Sequence, residues 1–233
     1  MIENLPGYVS IIFILTTFLT VGFLLNAVKQ TVFETVPAKL LIFLLAFWLF
    51  FQAILGLNGF HTESQGVPPR IVLFGVLPAL LLIIAYFIFF RKTFIEKLPL
   101  KTLTLLSIIR IPVELTLFWL FHASLIPQSM TFEGRNFDIL SGITAPIVYF
   151  LAFRGGKVNR PILIVWNLAA LGLLINIVVT AILAFPAFSP NVAPELQNRA
   201  VTYFPYVWLP TVIVPVVLFS HLASLWKLFK KAF

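Results

Sequence analysis

Residues 107–124 read SIIRIPVELTLFWLFHAS and set Arg110, Glu114 and His122 in a run of Leu, Ile, Val, Phe and Trp. An ionised group in hydrocarbon costs about 2.5–3.5 kcal/mol on insertion scales, and a partner offsets much of that. Residues four apart are neighbours on a helix, so Arg110 and Glu114 are expected to pair directly. Ser107, Arg110, Glu114 and His122 share one face about 120° wide, which should point into protein rather than lipid. Arg110 is also close enough to the end of its span to snorkel toward water. Pro112 removes a backbone donor from the same helix and leaves a carbonyl free nearby. A guanidinium, a carboxylate and an imidazole on one buried face suit a solute or proton path. They equally suit a structural ion pair that locks one helix to its neighbours.

Further polar residues fall at two depths. Asn167 and His221, with Ser220 and Ser224 beside it, are expected near the level of Arg110 and Glu114, so Arg110, Glu114, Asn167 and His221 form the candidate ligand or proton path. A second level holds Gln52, His61, Glu63, His122, Glu133, Arg135 and Asp138. His122 and Asp138 are its foremost catalytic candidates, with His61 and Glu133 beside them, because acid–base work needs such groups. Asp138 also has a plainer role open to it, at the positive end of the dipole of the helix it begins. The spacing contains no His-Glu-x-x-His and no His-x-x-x-His, so no metal is expected. No cofactor is expected either.

These residues must be held by elements that live in lipid. Of the 233 residues 61% are hydrophobic and 10% charged, whereas a soluble domain carries roughly a quarter charged. Cysteine is absent, which excludes disulfides, iron–sulfur clusters and thiol catalysis. The net charge of +8 lies in short connectors rather than on a face or arm, which argues against nucleic acid as a partner.

A membrane span needs about 20 apolar residues. Seven such runs occur, near 8–28, 38–57, 71–90, 102–126, 137–153, 161–184 and 204–229. Only helices satisfy the backbone in lipid without closing a barrel, so the chain 1–233 is expected to be an all-α, polytopic bundle of seven transmembrane helices in a single domain. Twelve Lys and Arg lie in the connectors after spans 1, 3 and 5 and after span 7, against three (Arg70, Arg135 and Arg199) in the others. The positive-inside rule then places the N-terminus outside and the C-terminus in the cytoplasm of a cell membrane. Span 1 follows Met1-Ile2-Glu3-Asn4, with no basic region, and reads as a retained helix rather than a signal peptide.

Span 7 carries Pro205, Pro210 and Pro215. Pro205 suits a first turn, whereas Pro210 and Pro215 are expected to bend or interrupt the helix. With Pro112 they are the candidate gating or kink positions.

Two seven-helix families are excluded by their chemistry. Microbial rhodopsins need a lysine midway along the last helix, and here the first lysine of span 7 is Lys227 at its end. Ceramidase-like hydrolases hold zinc with several His and an Asp, and span 7 has His221 alone. Arg110, the stretch Gly134-Arg135-Asn136-Phe137-Asp138-Ile139-Leu140-Ser141-Gly142, Trp166-Asn167 followed by Gly172, and His221 together resemble a group of small bacterial integral membrane proteins of unknown function. The resemblance covers spans 4 to 7 and implies a location in a bacterial inner membrane.

Three functions fit these residues. The first is transport of, or binding to, a small solute, an ion or proton, or a lipid, through the polar cluster on spans 4, 6 and 7. The second is an enzyme acting on a lipid or isoprenoid head group at the outer face. The third is an assembly subunit whose polar groups only hold helices together.

Overall fold

A computed structural model describes residues 5–62, 66–156 and 158–230, and gives the backbone but not the side chain of Glu195. Glu63, Lys157, Lys231 and the first four residues lie outside the described ones. Among the described residues the regular structure is helical, with no strand. Seven helices are long and apolar enough to cross a membrane: α1 Gly7–Thr31, α2 Val36–Leu57, α3 Val72–Phe89, α4 Leu100–His122, α5 Ile139–Gly156, α6 Arg160–Leu183 and α7 Leu209–Lys230.

Their ends follow local chemistry. The Asn159 side chain accepts the Ile162 N–H at the start of α6, and Pro161 follows in the first turn. α4 stops at His122 rather than at 126, because Ser124 has φ of 58° and turns the chain away. α7 begins at Leu209 rather than near 204, after a short helical turn at Ala200–Thr202. Pro205 therefore precedes the helix instead of opening it.

The helices are not equivalent. Inside the molecule α4 and α7 bury 61% and 67% of their apolar windows, whereas α2, α3, α5 and α6 bury 22%, 17%, 28% and 22%. The central pair thus offers charged side chains a place away from the lipid-facing surface. Phe43, Phe50, Phe89 and Phe150, all more than half exposed, belong to the outer helices and present apolar rings outward.

The two ends of the bundle differ. At one end Lys230 pairs with Glu96 at 2.6 Å, Lys227 donates to the Leu98 carbonyl, and Thr102 donates to Gln30. The Lys230 ammonium holds the Glu96 carboxyl below its ordinary range. At the other end lie the long connectors, tied together where Arg199 N–H donates to the Leu125 carbonyl and Asn198 N–H to that of Ala184.

Pro210 and Pro215 do not break α7. The helix opens with a π turn, Leu209–Ile213, that contains Pro210, and continues as an α-helix from Val214 through Pro215. Pro215 has no N–H for the carbonyl four residues back, that of Thr211, and Trp48 Nε1 supplies the missing donor at 2.9 Å. α3 repeats the device. It too starts with a π turn, Val72–Val76, and Pro78 leaves the Phe74 carbonyl free for Gln52 Nε2 at 2.7 Å. Trp48 and Gln52 are one turn apart on α2, so a single helix face caps two proline-freed carbonyls. In α4, Pro112 follows a tight 3₁₀ turn at Ser107–Ile109.

Candidate functional site

Arg110 sits where α4, α5, α6 and α7 meet and is 2% exposed. It does not snorkel, and its direct pair with Glu114 is not formed. Its Nη1 lies 2.6 Å from Asp138 Oδ1 and also donates to the Ala170 carbonyl at 3.1 Å. Its Nη2 meets His221 Nε2 at 3.0 Å. A carboxylate one turn away on the same helix loses to one 28 residues on, because the connector before α5 carries Asp138 to within 2.6 Å of Nη1 while Asn136 holds Glu114 Oε1.

The protonation of His221 follows from its neighbours. Asn167 Nδ2 donates to the Leu163 carbonyl at 2.7 Å, which leaves Oδ1 as an acceptor for His221 Nδ1–H at 2.8 Å. Nε2 then carries the lone pair that accepts from Arg110, so the imidazole is neutral. Leu163, Asn167, His221, Arg110 and Asp138 form one continuous hydrogen-bond chain across three helices and the connector into a fourth. Ser220 stays outside it and donates to the Val217 carbonyl.

Asp138 belongs to this chain and not to the second polar level. It caps nothing at the start of α5, and its carboxylate goes to Arg110 instead of the helix dipole. Its position is set by the connector 123–138, which dips into the bundle and buries Met130, Thr131 and Asn136. Non-helical backbone at such a depth is tolerated where protein encloses it. Asn136 organises the dip. Its Oδ1 accepts the Asp138 N–H at 3.0 Å in an Asx turn, while Nδ2 donates to Glu114 Oε1 at 2.6 Å and the Met130 carbonyl at 3.0 Å.

Two glycines make this approach possible. A Cβ on Gly134 would lie 2.2 Å from the Gln128 carbonyl oxygen, and one on Gly142 would lie 2.8 Å from Ile111 Cγ1 and 3.1 Å from the Ile111 nitrogen. The first closes the connector; the second lets α5 lie against the α4 backbone.

Two atoms of the cluster are buried without a hydrogen-bond partner among the described residues: Arg110 Nε and Glu114 Oε2. Both residues line a cavity of about 180 Å³ between α3, α4, α6 and α7. Arg110, Glu114 and Asp138 are its charged lining residues, Asn198 is a further polar one, and its surface is almost wholly apolar. Ile182 and Phe188 line it yet are 46% and 42% exposed, so the cavity reaches the apolar surface. The π turns of α3 and α7 meet beside it, Gly75 against Thr211, and Pro210 is on the wall. A second cavity of about 290 Å³, between α1, α2, α3 and α7, has no charged side chain on its wall among the described residues.

The remaining described residues of the second level do not line the first cavity. His122 is exposed, its ring 4.4 Å from that of Phe118, and it does not line the cavity that Asp138 lines. Glu133 and Arg135 are exposed. His61 is fully buried, its Nε2 at 3.1 Å from Gln52 Oε1, and burial pushes it down to about 4. No three His, Asp or Glu side chains gather as metal ligands among the described residues.

Sequence reasoning missed Asn136 as a functional neighbour and placed Asp138 at the wrong depth. The spacing Asn136-x-Asp138, an Asx-turn pattern, was the available signal.

The model of a family described as a domain of unknown function, DUF8737, matches residues 67–229, which include Arg110, Glu114, Asn136, Asp138, Asn167 and His221. No curated protein and no solved structure matches the chain.

Proposed function

The chain belongs to the DUF8737 family, and we propose that it is a multi-pass membrane protein that takes an apolar or amphiphilic small molecule from the bilayer into the cavity lined by Arg110, Asp138 and Glu114. The observation that carries this reading is the cavity itself: apolar walls that reach the surface at Ile182 and Phe188, with Arg110, Asp138 and Glu114 among the lining residues and a buried, unpartnered atom on Arg110 and on Glu114. Ligand sites are typically concave and apolar with a few placed polar groups. A purely structural ion pair has its polar atoms satisfied by protein, and Arg110 Nε and Glu114 Oε2 are not.

In this reading the basic end, with Lys227 and Lys230, faces the cytoplasm, and the connectors that flank the cavity face outward. The membrane is a bacterial inner membrane, as the sequence resemblance implies. The paired π turns of α3 and α7 form the side of the cavity that moves, since π turns recur at functional sites and leave a helix ready to change register. Movement there would convert binding into transport of the bound molecule. His122 does not line the cavity that Asp138 lines, so chemistry on a lipid head group has less support than binding.

Native mass spectrometry of the purified protein in mild detergent tests the reading. The wild type is expected to retain a small-molecule adduct that Ala181→Trp, which fills the cavity, abolishes. An unchanged adduct pattern in that variant, with the fold intact, removes the cavity as the binding site.

A further inference from the structure

The lining of the cavity carries one positive side chain and two negative ones: Arg110, Asp138 and Glu114. Arg110 and Asp138 cancel in their 2.6 Å pair, and His221, which accepts from Arg110, is neutral. Among the described residues no element packed around the cavity supplies another charge. α3 contributes Val72 and Val76, α6 contributes Leu174, Ile177 and Val178, and α7 contributes Leu209, Ile213 and Val217. Ionised Glu114 is therefore a surplus buried charge, 1% exposed, whose Oε1 is held by Asn136 and whose Oε2 has no donor. Of the other unpartnered atoms on lining residues, Asn198 Oδ1 is also an acceptor and Arg110 Nε is a donor. An uncompensated buried charge either takes up a proton or acquires a counter-ion.

Resting on the cavity reading above, we infer that the ligand is a cationic amphiphile, an ammonium group with N–H donors on an apolar tail, seated on Glu114 in exchange for a proton. The empty site holds Glu114 as the neutral acid. On binding, its O–H proton leaves to water, the carboxylate forms, and the ammonium donates N–H to Oε2. Charge balances at each stage: acid plus alkylammonium gives the ion pair and one released proton. The tail lies along the apolar walls toward Ile182 and Phe188. A neutral hydroxyl group would also satisfy Arg110 Nε, but it would leave Glu114 protonated and release no proton.

Three probes of equal length separate these cases: n-octylammonium, n-octanol and n-octanoate, bound to the protein in nanodiscs of zwitterionic lipid, with Ala181→Trp as the background for partition into lipid. Hydrogen bonds to charged groups predict that octylammonium binds about tenfold or more tightly than octanol. Its affinity is expected to weaken in mildly acidic buffer, and binding in weak buffer to release about one proton per site. Glu114→Gln is expected to bring octylammonium to the level of octanol. Equal affinity for octanol, tighter binding of octanoate, or binding without proton release overturns the inference and leaves the cavity reading intact. Binding of none of the three above the Ala181→Trp background counts against the cavity reading itself. The proton-release measurement needs no variant, so the inference stays testable if Glu114→Gln does not fold.

Discussion

Asp138 Oδ1 lies 2.6 Å from Arg110 Nη1, and this bond ties the start of α5 to the middle of α4. Both residues are almost fully buried, so the pair is little screened by water.

Removing one partner should therefore cost more than removing both. Asp138→Asn is expected to destabilise the fold by about 3–5 kcal/mol, because it strands the guanidinium, whereas Arg110→Met combined with Asp138→Leu costs markedly less. Equilibrium unfolding in mixed SDS micelles measures both. A double variant as unstable as the single one would show that the pair is a net source of stability.

Close packing at Gly142 should be as demanding as the ion pair. Gly142→Ala pushes against Ile111, both its side chain and its backbone nitrogen, and is expected to cost about 1–3 kcal/mol. The same substitution at Gly172, where a Cβ meets nothing within 4 Å, should be neutral or slightly stabilising. Comparable losses at the two positions would contradict the backbone contact between α4 and α5.

Trp48 and Pro215 should be coupled. In Trp48→Phe the Thr211 carbonyl loses its donor, which costs about 1–3 kcal/mol. With Pro215→Ala present, the restored N–H can serve that carbonyl and the loss shrinks. A double-mutant cycle is expected to give an interaction energy of about 0.5–3 kcal/mol; additivity would deny the capping role.

His61 supplies the pH dependence. Burial lowers it to about 4 from 6.5, so the fold favours neutral imidazole while the unfolded chain takes up the proton first. Its stabilising contribution is complete above about 6.5 and is lost as pH falls toward about 4. His61→Gln keeps a donor for Gln52 without titrating, and its melting temperature should be flatter than that of the wild type across this window. Parallel curves would remove His61 from the account.

The spans are legible because each is a run of apolar residues of bilayer length; the structure differs where Ser124, at a φ that sequence does not announce, stops α4 early, and where α7 begins at Leu209 rather than near 204. The inward face of Arg110 followed from helical period. The approach of His221 and Asn167 followed from depth, since straight helices crossing one thickness bring residues of equal depth together. The partner of Arg110 did not follow. Glu114 was the nearest carboxylate in sequence, whereas Asp138 reaches the site through a connector that dips into the bundle at Gly134 and closes on α4 at Gly142. The apolar cavity was equally hidden, because nothing in a sequence records where helices leave a gap.

The most direct measurement is an electron cryomicroscopy map of the protein in lipid nanodiscs at a resolution that separates side chains. The account predicts Arg110 bonded to Asp138 and His221, with elongated density between α3 and α6 whose polar end touches Glu114. Arg110 turned into bulk water, or side chains of α3 and α6 filling that space, would contradict it.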